Sequence, residues 1–405
     1  MTRDVGGSTA ERQLSLLSDM TTDMSPISHE EMASRVEKAQ EIMQDTGISA
    51  LYVNSGTNLS YFTGTQWRAS ERMVGAIIPA VGPIIYISPV FEISTLELYM
   101  GLKGKTYGWE EHHSPYGLFL AMLHDLGLTE GTIALDESCA FFISNGIALA
   151  APDFNFINGD CITAACRQIK SRNEIALMQR VKDMTLEVHK AAARILRPDI
   201  TVAEVEEFIH KAHIKVGAPA GSYFVIVLFG EDTAYPHGVK NPKALEENDM
   251  VLIDTGCQLH GYISDITRSY VYGEPNPRQR HIWNIEKEAQ AAAFEKAQIG
   301  TRCGDVDLAA RACLEKYQLG PDYKLPGLPH RTGHGIGMDI HEWPYLQSGD
   351  DSILAAGMCF SNEPMICVPG EFGVRLEDHF YMTEDGPRWF TVPSHSIDDP
   401  FGSEK

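Results

Sequence analysis

No stretch of this chain stays apolar for long. The longest apolar runs, Val74 to Val81 and Ile84 to Val90, are cut by Gly75, Pro79, Gly82, Pro83 and Pro89, well short of the roughly 20 residues a membrane helix needs. The eight cysteines (Cys139, Cys161, Cys166, Cys257, Cys303, Cys313, Cys359 and Cys367) contain no C-x-x-C pair. Neither a disulfide framework nor a zinc knuckle is suggested, and buried thiols are expected. Basic residues are scarce, with 33 Lys plus Arg against 55 Asp plus Glu and a net charge of -22. Such a surface repels nucleic acid and anionic membranes, so neither is expected as a partner. Short repeats, low-complexity tracts and charge blocks are missing too. The opening residues, Met1 to Ser25, are polar and carry Asp4, Glu11 and Asp19, unlike a secretory signal, and the expected location is cytoplasmic.

With 405 residues, the chain is too long for one ordinary core, and two domains are expected. Residues 1–28 read as a polar arm or short surface helix. An α/β rhythm then fills residues 29–168: a helix over His29 to Gly47, strands at Ile48 to Val53, Met73 to Pro79, Ile84 to Ile87 and Thr132 to Leu135, and a helix at Leu118 to Leu126. A second domain, 169–405, opens where Ser171 and Glu174 stand at capping-box spacing before a long helical pattern. That pattern places Ile175, Met178, Val181, Thr185, Val188, Ala192 and Ile195 on one face until Pro198. Thr201 and Glu204 repeat the spacing for a second helix ending near Gly217. Strands are expected at Tyr223 to Phe229, Met250 to Asp254 and Tyr262 to Tyr272, helices at Gln279 to Ala297 and Val306 to Tyr317, and further strands to close. The second domain thus reads as α+β.

Five features of that domain carry unusual polar residues. Asp254 and Asp265 each sit beside β-branched apolar residues, where an unpaired carboxylate is costly to bury. Either a cation faces them or they cap turns, and spacing alone favours the turn. Asp254-Thr255-Gly256 also matches the aspartic-protease triplet, but no second Asp-Thr-Gly or Asp-Ser-Gly occurs. In Pro329-His330-Arg331-Thr332-Gly333-His334-Gly335-Ile336-Gly337, the proline and glycines disfavour a helix, so loop or strand is expected, with glycine allowing close approach to something bound. Three histidines (His330, His334, His341) within twelve residues point toward a site. Glu363 and Glu377 each interrupt an apolar strand-like run, and a salt bridge from Arg375 to one acid is the plain reading. His237, in Tyr235-Pro236-His237-Gly238, taken alone is a turn residue. Together, four carboxylates and an imidazole make an oxygen-rich set suited to Mn2+, Co2+ or Zn2+, and without thiolates it is unlike a structural zinc site. Four ionised carboxylates cannot crowd together without cations. This points to a binuclear hydrolase.

On these motifs the second domain, from about Ile169, resembles the pita-bread catalytic domain of the prolidase, aminopeptidase P and methionine aminopeptidase family. The first resembles the N-terminal domain of the creatinase/prolidase branch. The resemblance implies an α/β creatinase-like domain followed by an α+β pita-bread domain, with two divalent ions, foremost Mn2+, held by Asp254, Asp265, His334, Glu363 and Glu377. It gives His237, His330, His341 and Arg375 to substrate binding and proton handling. The implied activity is hydrolysis of the Xaa-Pro bond of a small peptide by a metal-activated water, closest to bacterial Xaa-Pro dipeptidases. Glu363 would carry the proton, with His341 and His237 steadying the tetrahedral intermediate. Aminopeptidase P action on longer peptides is the alternative, and phosphotriester hydrolysis a side activity. The first domain speaks against methionine aminopeptidase, and the full ligand set against metal-free creatinases and binding modules. A homodimer is implied. Two departures stand out: Cys367 occupies a place where many relatives carry tyrosine, and no arginine lies between His341 and Glu363, where typical prolidases keep one for the dipeptide carboxylate. Arg72, reaching a partner subunit's site, is the candidate replacement.

Overall fold

Six strands form the sheet of the first unit, Pro26–Arg167, in the computed structural model, which describes residues 2–403. They are β1 (Ala50–Asn54), β2 (Gly75–Pro79), β3 (Ile85–Pro89), β4 (Lys105–Trp109), β5 (Gly131–Leu135) and β6 (Phe154–Asn158), in the order β4-β3-β2-β1-β5-β6. β1 and β3 run antiparallel to β2, and the remaining pairs are parallel. The central strands β1, β2 and β3 are buried throughout, which explains their continuous apolar runs. Their side chains join Phe119, Met122 and Ile147 in one core cluster. The helix His29–Thr46 starts at a Ser28 cap and stops at Gly47, whose φ of 71° only glycine adopts cheaply.

Periodicity passes over several elements here. Thr57–Thr63, Ile93–Tyr99 and Asp160–Arg167 span only about two turns, too few to display a period. Phe141–Ala150 is apolar on most of its circumference, so it shows no polar face to contrast. β4 and β6 are edge strands, half-exposed and lacking an apolar alternation.

The other unit gathers the segment up to Ser25, including the short helix Ala10–Leu16, with the chain from Gln168 onward. Helix Arg172–Arg194 begins with the capping box its spacing predicts: Ser171 Oγ accepts from Glu174 N (3.1 Å) and the Glu174 carboxylate accepts from Ser171 N (2.8 Å). Thr201 and Glu204 do the same for Val202–Lys215. Strands β7 (Ser222–Phe229), β8 (Met250–Leu259), β9 (Tyr262–Ile263) and β10 (Ile266–Val271) form one antiparallel sheet with β8 at its centre. After helices Pro277–Lys296 and Cys303–Glu315, the strands β11 (Gly333–Gly335), β12 (Glu342–Leu346), β13 (Cys359–Asn362), β16 (Asp378–Thr383) and β17 (Gly386–Trp389) form a second sheet. Between β13 and β16 in sequence lies the hairpin of β14 (Met365–Val368) and β15 (Phe372–Arg375). Trp283, Phe360, Leu376 and Phe380 lie at the heart of a large core shared by the helices and these strands.

Three expectations need correction. Tyr262 to Tyr272 is not one strand, because the chain breaks at Ser264 and Asp265 between β9 and β10. The Ser264 carbonyl there lies only 1.7 Å from where a Cβ on Gly256 would stand, so the approach of these strands requires glycine at 256. Nor does Asp254 cap a turn: it lies mid-strand in β8, 7% exposed. Likewise, the closest neighbour of a Cβ built on Gly333 is the Ser361 carbonyl of β13, at 2.1 Å. That glycine therefore serves strand packing rather than approach to a bound molecule. All eight cysteines are free, and no helix among the described residues is long and apolar enough to cross a membrane.

Candidate metal centre

Strand register brings the acids together. Asp254 of β8 pairs with Thr267 of β10, and Asp265 stands two residues before Thr267, just ahead of β10. Asn362 of β13 pairs with Asp378 of β16, so Glu363 and Glu377 leave the ends of adjacent strands side by side. Gly335 pairs with Phe360, and the His334 amide donates to Ser361 Oγ at 2.9 Å, which sets His334 beside the same strand end.

Ligand-capable atoms of Asp265, His334 and Glu377 all lie within 4.8 Å of one another, and all three residues are buried. Glu363 joins them, its Oε1 3.0 Å from His334 Nε2, while Asp265 Oδ2 stands at 3.7 Å. His334 Nδ1 is 3.0 Å from the Gly335 carbonyl, which can only accept, so Nδ1 carries a proton and Nε2 is the ring nitrogen turned to the acids. Facing carboxylate oxygens, Nε2 either donates a proton to them or, with a cation among them, offers that cation a lone pair. His334 Nε2, Asp254 Oδ1 and Asp265 Oδ1 find no hydrogen-bond partner although buried, which is the signature expected of atoms directed at cations.

The electrostatics agree. Burial, followed by the neighbouring acids, pushes the Asp265 and Glu377 carboxyls well above the usual carboxylate range. Asp254 is raised by burial and partly restrained by Arg375. Glu363 goes the other way: burial opposes ionisation, but His334, His330 and Arg375 outweigh it and hold the carboxyl low. Arg375 spans the cluster, its Nη2 2.5 Å from Asp254 Oδ2 and its Nε donating to Thr267 Oγ1 at 3.0 Å. Thr267 in turn donates to Glu377 Oε2 at 2.8 Å, and His379 Nε2 lies 3.3 Å from Glu377 Oε1. The expected Arg375 salt bridge therefore exists, yet it engages only one oxygen of one acid. Four carboxylates against one guanidinium leave a buried site short of positive charge, a fit for divalent cations.

The cluster opens on a cavity of about 720 Å³ whose lining includes His237, His330, His341, Glu363 and Arg375. His341 meets His334 edge-on, ring centroids 4.3 Å apart. His330 directs Nδ1 to the Arg331 carbonyl at 2.7 Å, and its buried Nε2 has no partner. Arg72 belongs to the other unit, where its guanidinium engages Glu111 (2.9 and 3.2 Å) and Glu71 (2.6 Å). Cys367 lies in β14, buried, with burial pushing its thiol up to about 12.

Several contributors escaped sequence reasoning. Asp307 and Arg311, one helical turn apart on Cys303–Glu315, form a buried ion pair (2.8 Å). Asp307 Oδ1 then accepts from the Thr332 amide and hydroxyl, and Arg311 Nη2 donates to the His330 carbonyl at 2.6 Å. Their i, i+4 spacing was visible, but their target was not. Lys170 and Glu342 form a second buried pair (2.9 Å), and Glu342 Oε1 also accepts from the Met338 and Asp339 amides. This clamp fixes the loop leading to His341. Lys170→Met should strand the Glu342 charge and cost about 3–5 kcal/mol, measured by urea unfolding; a loss under about 1 kcal/mol would show that the clamp is dispensable.

This acid-rich centre on antiparallel sheets, with a separate α/β unit preceding it in sequence, defines a two-domain metallopeptidase of the pita-bread fold. The chain belongs to metallopeptidase family M24, whose model matches residues 176–384, and the creatinase/prolidase N-terminal domain matches residues 35–169. The "Probable dipeptidase PepE" of Mycobacterium tuberculosis is 33% identical over 359 residues, 87% of this chain and 92% of that protein. Among solved structures, dipeptidase PepE from Mycobacterium ulcerans superposes with a TM-score of 0.85 at 28% identity, covering 92% of this chain and 98% of that one. A prolidase from Thermococcus sibiricus gives 0.80 at 26% identity, covering 91% and 98%.

Proposed function

We propose that the chain is an Xaa-Pro dipeptidase in which Asp254, Asp265, His334, Glu363 and Glu377 hold two divalent cations. The observation that carries this reading is the buried meeting of Asp265, His334 and Glu377 within 4.8 Å, next to Glu363, which lines a cavity together with three further histidines. Oxygen-rich ligands favour Mn2+, with Co2+ and Zn2+ as alternatives. Bound there, the cations would supply Lewis acidity, lowering the pKa of a water and polarising the scissile carbonyl. The side chains do the rest. Glu363, whose carboxyl lies low in this site, takes the proton from the attacking water and delivers it to the leaving proline nitrogen. Ser361 Oγ, 3.1 Å from Glu363 Oε1, keeps that carboxylate oriented. His341, at the cavity mouth beside His334, donates to the developing oxyanion, and His237 and His330 position the substrate. Arg375 keeps Asp254 aligned.

A bond before proline has no N–H, so a site that asks for no donor there accepts what other peptidases handle poorly. Eight free cysteines suit the reducing cytoplasm, and a homodimer is part of the reading. The roomy cavity also suits an aminopeptidase P acting on longer peptides. With Mn2+ supplied, the reading expects Leu-Pro to be cleaved at least tenfold faster than both Leu-Ala and Leu-Pro-Pro; liquid chromatography of the products measures it. A preference for Leu-Pro-Pro would establish the aminopeptidase instead, and equal cleavage of Leu-Ala would refute proline specificity.

A further inference from the structure

A dipeptide differs from a longer peptide by the carboxylate that its second residue carries. Bringing that anion beside four acids requires a cation not already committed to them. The requirement rests on the dipeptidase reading above, and it narrows the choice to the arginines that face the cavity, Arg331 and Arg375. Arg375 is committed: its Nη2 holds Asp254, its Nε donates to Thr267 and its Nη1 reaches the Pro236 carbonyl at 3.3 Å. Nowhere from 342 to 362 does the sequence offer another arginine.

Arg331 is placed differently. Among the described residues its guanidinium has no ion pair and no hydrogen bond; it lies over the ring of Tyr345, 4.4 Å from the centroid. Stacking occupies the face of a guanidinium and leaves its edge, where the N–H groups lie, open to a forked carboxylate. The platform beneath it is rigid. Tyr345 pairs with His334 across β12 and β11, its amide donates to Asp350 Oδ2 at 3.0 Å, and its ring meets Trp343 edge-on at 4.7 Å. The Arg331 backbone is equally well held, since Arg311 binds the carbonyl before it and Asp307 the amide after it. The guanidinium is thus registered to His334 through Tyr345, at a set place relative to the metal centre. Arg331 and His341 also line the same cavity.

We infer that Arg331 grips the free C-terminal carboxylate of the dipeptide and thereby makes the enzyme a dipeptidase rather than an aminopeptidase. Tyr345, four residues past His341, acts as its positioning platform.

The test compares Leu-Pro with Leu-prolinamide, which keeps the scissile bond and loses the carboxylate, in the Mn2+-loaded parent and in Arg331→Gln, Arg331→Lys and Arg72→Ala. The parent should favour the free acid. In Arg331→Gln the acid-to-amide ratio of kcat/KM should fall about 10- to 100-fold, mostly through KM for the acid, and Arg331→Lys should restore part of it. Binding of L-proline, measured by calorimetry without any turnover, should weaken in Arg331→Gln in parallel. An unchanged ratio and unchanged proline binding would overturn the assignment, as would a collapse confined to Arg72→Ala. Either result leaves Leu-Pro cleavage by the parent, and with it the dipeptidase reading, intact. Failure of the parent to cleave either compound would overturn that reading and the assignment together.

Discussion

Replacing Asp265 with Asn is expected to abolish peptidase activity while making the metal-free protein more stable. Asp265 lies buried against Glu377, Asp254 and Glu363, and its carboxyl is raised well above the usual range by burial first and by those acids next. The sign follows from proton binding. A carboxyl whose folded pKa is raised holds a proton that the unfolded chain, with a pKa near about 3.9, has already released. Stability of the metal-free protein therefore falls as pH rises above that value, until the folded group also ionises. Asparagine cannot ionise, and its amide can donate to a neighbouring carboxylate. At pH 7 without metal, Asp265→Asn should gain on the order of 1–3 kcal/mol in urea unfolding and show a flatter pH dependence. With Mn2+ the order should reverse, because the parent gains stability from bound ions and the variant gains much less. Activity should drop on the order of 10³-fold or more, the several kcal/mol that Lewis acidity supplies to a transition state. A metal-free variant less stable than the parent would show that the four acids are not in conflict.

Glu363→Gln removes the proposed proton carrier and alters one of the five proposed ligands, so it is compared with the parent at matched metal content. The amide keeps the shape of the side chain and one oxygen, so Leu-Pro should still bind. Proton uptake from water and delivery to the proline nitrogen both disappear. A loss in kcat of about 10²- to 10⁴-fold is expected, with kcat/KM falling in step. The environments of the acids support this division of labour. Glu363 is held ionised by His334, His330 and Arg375, while burial and their acidic neighbours raise Asp265 and Glu377. Steady-state kinetics on Leu-Pro suffice for the measurement. A kcat within tenfold of the parent would move the proton carrier elsewhere.

How much of this was legible in the sequence depends on the range of the interaction. The capping boxes at Ser171 and Thr201 are local chemistry, complete within four residues, and they form as read. Five acids and imidazoles stood out because each interrupts apolar or glycine-rich strand sequence, where a charge has no ordinary reason to be. What spacing could not supply was the company each keeps. Asp254 read more easily as a turn residue because its Arg375 partner lies 121 positions away, and only β-sheet register brings them together. Spacing did not single out Arg331, since its value comes from Tyr345, a neighbour created by the pairing of β11 and β12. The break at Ser264 and Asp265 was hidden for a related reason: β-branched residues flank it on both sides, and the constraint that makes it sits across the sheet at Gly256.

The central claim is that four carboxylates and one imidazole meet in order to hold two cations that drive cleavage before proline. Adding Mn2+ stepwise to chelator-stripped protein, while following Leu-Pro hydrolysis, tests it most directly. Activity should be absent at the start, rise with each equivalent and level off at two ions per chain. Hydrolysis undiminished in the stripped protein, or none at any Mn2+ level, would contradict it.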